Sequence, residues 1–302
     1  MSWRPSPQPS PRGRGGAVML VLLLLGCARM TRPTHATSLA GLRAPLSGNT
    51  TAALVLAGAV AETPAQVRFE VASPLTLVST GCFETSLETR ATVRVPTPEG
   101  PYRALSEVDL VGARVADVDL PPRRVGLAPD DACVLTLGSD VLAPFALTLD
   151  PEKRELSLRP SQPRQAYEGL AGSGEEVLLL ELAREPHADW PLVAVRIQQA
   201  GVQLTGPFIL ATAEAQSKLA ESVNGERFDE QGTLAERVEL APGLGAERVV
   251  LRWVPGWESQ TALGVLGADV WGRFHVTVDL GSNVLVLRRP RGLVSEGSKE
   301  QE

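Results

Sequence analysis

The chain has 302 residues, a net charge of -6 at neutral pH and a pI near 5.3; nothing in that balance draws it to nucleic acid or to anionic lipid. With 43% hydrophobic and 21% charged residues it can bury sizeable cores, and its length allows two domains of ordinary size. Gly (28) and Pro (24) are frequent and aromatics are only 4%, which suits many short strands joined by turns better than a helical protein.

The N-terminal segment reads as an export signal. Arg12 and Arg14 supply a positive region, and residues 17–26 (AVMLVLLLLG) form an apolar run. That run is far shorter than the roughly 20 residues a membrane-spanning helix needs, but it has the length of a signal core. It ends in Leu24-Leu25-Gly26-Cys27, which resembles the bacterial lipobox. The resemblance implies a signal peptide over residues 1–26 and a lipidated Cys27 as the mature N-terminus. Ala28, not Asp, follows, which in Gram-negative lipoproteins implies the outer membrane. The alternative is an ordinary signal peptide with a chance Cys. Setting Cys27 aside, Cys82 and Cys133 remain as an even pair in an oxidising compartment. A disulfide between them would be worth roughly 4 kcal/mol in the chain-entropy picture; the other reading is two buried thiols.

Further elements follow in chain order. Residues 27–49 form a tether that stiffens into a first strand near 38–46. A first lobe spans residues 50–160, with a strand at 54–60 and a turn at 61–64. Residues 161–174 (SQPRQAYEGLAGSG) read as a linker. A second lobe spans 175–289. Its strands are predicted at 177–182, 192–197, 208–210, 238–240, 249–253, 276–279 and 283–287. A turn is expected at 198–201. Residues 215–223 carry helical spacing (Leu219, Val223) and end at Asn224-Gly225, a helix stop signal. Residues 241–245 (APGLG) break a hairpin, and Asp269 opens a short helical turn. Residues 290–302 form a tail whose charged end reads as disordered.

An internal repeat unites the two lobes. Residues 137–150 (LGSDVLAPFALTLD) return at 266–279 (LGADVWGRFHVTVD), an offset of 129, and the register holds on to Arg159 and Arg288. Val265-Leu266-Gly267, with the Ala-Asp-Val that follows and the preceding order of strands, resembles the hydrophobic-hydrophobic-Gly motif of retropepsin-like aspartic proteases. The resemblance covers both lobes. It implies a mostly β fold of two fused retropepsin-like, acid-protease β-barrel lobes, with a groove at their junction.

The chemistry of that family needs two aspartates, one from each Asp-Thr-Gly loop, sharing a proton about a water. Neither loop carries one. The second-lobe loop matches Ala211-Thr212-Ala213, which keeps only the bracing hydroxyl, with Ser217 downstream. The first lobe allows two frames. In one, Glu70-Val71-Ala72 replaces the motif and the upstream strands match those of lobe two. In the other, Ser79-Thr80-Gly81 replaces it, and its spacing of 59 residues to Gly138 is nearer the 56 between Ala211 and Gly267. No catalytic residue is assigned in either frame. Asp140 and Asp269 read as structural residues in a helix N-cap context, and Asp150 and Asp279 as turn residues at strand ends.

Other chemistries are weaker. His35, His187 and His275 show no metal-ligand spacing with Cys or carboxylates, so no metal and no cofactor is expected. Gly172-Ser173-Gly174 lacks the strand-to-helix context of a nucleophile elbow, and Gly243-Leu244-Gly245 lacks a phosphate-loop continuation. Trp253, Trp257 and Trp271 fit either a groove wall or core packing. The expectation is a catalytically inactive, aspartic-protease-like exported lipoprotein of the cell envelope. It would hold a peptide or protein partner in the inter-lobe groove and the membrane through its lipid. The alternatives are an active peptidase with a noncanonical site and a structural envelope protein.

Overall fold

The computed structural model describes residues 39–46, 55–84, 87–97, 100–171, 177–199, 201–220, 233–255, 257, 259 and 261–289. Residues 1–26, read above as an export signal, together with Cys27, His35, Gly172-Ser173-Gly174, Val223 to Gly225 and the residues from 290 on, lie outside them. The described residues belong to one compact unit. No helix among the described residues is long and apolar enough to cross a membrane.

Three sheets organise the chain. The central one has six strands in the order β1 (Arg43–Pro45), β12 (Glu155–Pro160), β11 (Phe145–Asp150), β21 (His275–Asp279), β22 (Val284–Arg288), β13 (Val177–Glu181). Both repeat copies meet at its middle. Strands β11 and β21 run antiparallel with Thr148 opposite Thr277 and Leu147 opposite Val278. Those threonines are repeat mates, and their hydroxyls lie 2.9 Å apart, so a pseudo-twofold axis passes between them. The apolar run of β22 reflects cover on both faces: Leu285 and Leu287 join the main core, while Val284 and Val286 meet Tyr167.

That tyrosine belongs to helix α2 (Arg164–Ala171), where the sequence suggests only a linker. Its Ser, Gln, Pro and Gly content hides an i, i+3 pair, Tyr167 and Leu170, that packs on Val177, Leu179, Val284 and Val286. Burial of that pair overrides the cost of Gly169 within the helix, about 1 kcal/mol.

The first half builds a nine-stranded sheet, β5 (Ala91–Thr97), β6 (Gly100–Leu110), β9 (Arg123–Ala128), β4 (Leu77–Ser79), β10 (Val134–Leu137), β3 (Thr63–Phe69), β2 (Val55–Val60), β7 (Ala113–Val115), β8 (Val118–Asp119). A 3-10 turn at Thr80–Cys82 follows β4, and a disulfide joins Cys82 to Cys133 just ahead of β10.

The second half builds a seven-stranded sheet, β14 (Ala183–Arg184), β15 (Pro191–Gln199), β16 (Val202–Leu210), β20 (Gly264–Leu266), β17 (Lys218–Ala220), β19 (Leu244–Val254), β18 (Thr233–Ala241). A further pairing of β15 with β18 closes six of these strands into a barrel. Strand β15 runs through Gln199, so the turn expected from residue 198 starts later. Strand β17 corrects the expected helix at 215–223. Leu219 and Ala220 are buried between β20 and β19, and sheet pairing wins over a weak helical spacing.

Corresponding strands occupy corresponding places. Strands β3, β4 and β10 pair as β16, β17 and β20 do. The β7–β8 hairpin interrupts the path from β6 to β9, whereas β18 passes to β19 through a tight turn at Gly243, whose φ is +80°.

Candidate functional site

The site lies where β3 and β16 end, on loops held in the same way. The Glu70 N–H donates to Leu137 O at 2.9 Å, and the Ala211 N–H donates to Leu266 O at 3.2 Å. Six residues on, Thr76 donates its hydroxyl to Asp140 Oδ1 at 2.8 Å and accepts the Gly138 N–H at 3.1 Å. In the other half Ser217 donates to Asp269 Oδ1 at 2.6 Å and accepts the Gly267 N–H at 2.9 Å. A Cβ on Gly138 would stand 2.5 Å from the Leu75 carbonyl carbon, and one on Gly267 the same distance from that of Gln216. Only glycine lets the two segments approach so closely.

Asp140 and Asp269 are therefore braces of the loops. They are not N-caps: Gly138 and Gly267 hold the cap positions of helices α1 (Ser139–Leu142) and α3 (Ala268–Trp271), and each aspartate is the second residue of its helix. Burial raises the Asp140 carboxyl above the usual range, against the hydrogen bond from Thr76.

This geometry places Glu70-Val71-Ala72 opposite Ala211-Thr212-Ala213. Thr212 is buried; its hydroxyl donates to Phe69 O and accepts the Val71 N–H at 3.0 Å. Val71 has no hydroxyl with which to return the contact, so half of a reciprocal brace is present. The other frame lies elsewhere. Ser79 is buried, donating to Ala132 O at 2.5 Å and accepting the Val134 N–H at 2.7 Å. Thr80 and Gly81 bond Asp130. Ser79-Thr80-Gly81 thus anchors the disulfide-linked segment ahead of β10 and does not face Ala211. Its favourable spacing to Gly138 is misleading, because the β7–β8 hairpin lengthens the first half after β4.

Among the described residues, the carboxylate that bridges the two loops is that of Glu70. Glu70 Oε1 accepts the Ala72 N–H at 2.9 Å and the Thr212 N–H at 3.1 Å, and Oε2 accepts the Ala213 N–H at 3.0 Å. The longer glutamate arm thus reaches across and bonds both loops. Burial pushes its pKa up to about 7, and Glu214 adds to the rise, while the three N–H donors pull it down. Glu214 itself pairs with Lys218 at 2.9 Å. Among the described residues, the hydrogen-bond partners of the Glu70 carboxylate are all backbone N–H groups.

Opposite, Ala211 lies in an apolar cluster with Trp190, Ile209, Ala262 and Val265, against which Ala72 and Trp257 pack. Its carbonyl accepts the indole N–H of the buried Trp271 at 3.0 Å. Trp253 packs against the main core, and Trp257 donates to Ala262 O at 2.8 Å. Sequence reasoning missed Trp190, which carries no local signal and reaches the site through the β15–β16 pairing.

Asp150 and Asp279 each accept an N–H three residues on, from Lys153 at 2.9 Å and Ser282 at 3.1 Å, as turn residues do. Asp279 also accepts from Ser161, Gln162 and Tyr167. One expectation is corrected: His275 does meet carboxylates, those of Asp150 and Glu152. The pairing of distant strands creates this cluster, so no sequence spacing signals it.

No family model matches the chain, and no curated protein matches it in sequence. Solved structures do match in shape. The crystal structure of the aspartic proteinase from Irpex lacteus aligns with 85% of this chain and 99% of its own, at a TM-score of 0.53 and 12% identity. Conglutin gamma, a basic 7S globulin from lupine seeds, aligns with 83% of this chain and 95% of its own, at a TM-score of 0.46 and 10% identity. The mostly β architecture around Glu70 and Ala211 is an aspartic-proteinase-like fold.

Proposed function

We propose that this chain is a retropepsin-like, exported lipoprotein that has lost catalysis and holds a peptide or protein partner between its two halves. The observation that carries the reading is the state of Glu70. Peptide hydrolysis in this fold needs two carboxylates that pass one proton about a water. Here a single carboxylate has both oxygens engaged by N–H groups of both loops, and the facing position is Ala211 in an apolar cluster. An alanine neither takes nor gives a proton. Glu70 serves as a latch between the loops. The lipobox-like Leu24-Leu25-Gly26-Cys27 supports the anchor, and an acidic chain supports partners other than nucleic acid.

A second reading, an aspartic-type peptidase with one carboxyl, is favoured by one observation. A carboxyl with a pKa of about 7 carries a proton near neutral pH and has the acid character such a step needs.

Cleavage of unfolded casein by the purified mature chain, followed from pH 3 to pH 8, separates the two. The expected result is no cleavage at any pH. Pepstatin-sensitive cleavage that disappears in Glu70→Gln would overturn the inactive reading.

A further inference from the structure

The disulfide between Cys82 and Cys133 spans 51 residues of sequence, yet its place in the fold is local. Cys82 ends the turn that follows β4, and Cys133 immediately precedes β10. These two strands hold the Glu70 loop from both sides. Residues 70–76 run from the end of β3 into β4, and β10 ends at Leu137, whose carbonyl accepts the Glu70 N–H. However, β4 and β10 share only two residue pairs, Leu135 with Val78 and Thr136 with Leu77. So short a ladder opens readily on its own. Beyond it, the bonds between Thr80 and Asp130 are exposed to water, and the buried Ser79 reaches Ala132 O and the Val134 N–H.

The second half holds its matching loop by other means. Strands β17 and β20 share a ladder of the same length, Lys218 with Val265 and Leu219 with Gly264. The repeat mate of Cys133 is Ala262, so no disulfide can form there. Instead β15 pairs with β18 and closes the barrel. In the nine-stranded sheet β2, the counterpart of β15, pairs with β3 and β7, and β5 and β8 stand at the two edges. The first half thus has a covalent tie where the second has closure.

The surroundings of the two sulfurs suit exchange. Cys82 is buried and Cys133 is the more exposed of the pair, so an attacking thiolate meets Cys133 Sγ first. Val134 O lies 3.9 Å and Ser79 Oγ 3.5 Å from Cys82 Sγ. A thiol proton at the buried position therefore has acceptors beside it, and reduction strands no donor.

We propose that the Cys82–Cys133 disulfide is a redox-controlled clamp on the Glu70 loop. Closed, it fixes β4 against β10; open, it lets the first half of the site loosen while the second half keeps its order. The reductant is a dithiol. One of its thiolates attacks Cys133 Sγ, the S–S bond breaks, and Cys82 leaves as a thiolate that takes up a proton. The reductant's second thiolate then attacks its own sulfur in the mixed disulfide. Cys133 leaves as a thiol, and the dithiol ends as a disulfide, two electrons poorer. The clamp acts on the order of the loop and operates whether or not the groove holds a peptide.

The test is hydrogen exchange read by mass spectrometry on the full chain, oxidised and after dithiothreitol treatment, with thiol labelling to confirm that Cys82 and Cys133 are both free. Peptides covering residues 66–82 and 132–140 should exchange more than about tenfold faster after reduction, a factor within the stabilisation a disulfide supplies. Their counterparts, residues 207–220 and 261–271, should exchange as before. Cys133→Ser should reproduce the reduced pattern without reductant; if that variant fails to fold, the reduced wild-type chain still decides. Unchanged exchange around Glu70 after full reduction, an equal rise in both halves, or a disulfide that yields to dithiothreitol only when the chain unfolds would each overturn the proposal.

Discussion

Glu70 carries a consequence for stability against pH. Its carboxyl has an ordinary value of 4.5 and rises to about 7 in the fold, because burial disfavours the charged form. The protonated form is therefore the one the fold prefers. The contribution is fully present below the unfolded value and is lost as pH climbs from about 4.5 to about 7, where the buried group must ionise. Urea unfolding across that window should show stability falling as pH rises, with a slope of at most about 1.4 kcal/mol per pH unit from this group. Glu70→Gln should remove that segment of the profile. Below about pH 4.5 it should also lower stability by about 1–3 kcal/mol, because its amide N–H₂ cannot accept from one of the backbone N–H groups Glu70 now satisfies, and the gap should close as pH rises. A wild-type profile that is flat between pH 5 and pH 7, or one that the variant reproduces, would show that the carboxylate is ionised throughout and held by its three donors.

At the scale of elements, α2 is fixed to the central sheet by more than apolar contact. The Tyr167 hydroxyl donates to Asp279 Oδ2 at 2.7 Å beneath the helix, and burial together with the Asp279 charge raises the phenol's pKa. Tyr167→Phe keeps the ring on Val284 and Val286 and deletes only that bond. It should cost about 1.5–3 kcal/mol, the range for a hydrogen bond to a charged group, read as a lower denaturant midpoint at unchanged m-value. A change below about 0.5 kcal/mol would mean that Ser161, Gln162 and Ser282 satisfy the carboxylate without it. This helix also marks where the sequence is opaque. Most longer strands of the second half are legible from alternation and turn residues, and the 129-residue offset identifies the repeat mates that meet in the central sheet. Helix α2 and strand β17 are not legible, because each takes its form from a surface supplied by distant residues. The same holds at the site. The pattern identifies Ala211 and the bracing hydroxyl of Thr212, but no spacing could tell that Glu70 reaches the Ala213 N–H. Nor could it tell that the β7–β8 hairpin, and not a shifted frame, accounts for the extra residues after β4.

For the whole molecule, the lipid anchor is the expectation with the widest reach. Cys27 lies outside the described residues, and the motif around it carries the reading. Cys27→Ser should leave the precursor uncleaved or release the chain from membranes, as seen by fractionation and by loss of lipid label. Membrane partitioning and processing that match the wild type would remove the anchor. A different consequence follows from the central seam. Thr148 faces Thr277, which is to say that a strand faces its own duplicate. A residue meeting its own copy across an axis is what a twofold homodimer makes. Each half therefore carries an edge that is complementary both to its neighbour and to itself. Joined in one chain, the correct pairing is unimolecular and insensitive to dilution. Severed in the linker, the two pieces would face a choice that the intact chain never meets, between reassembling with each other and pairing off with themselves.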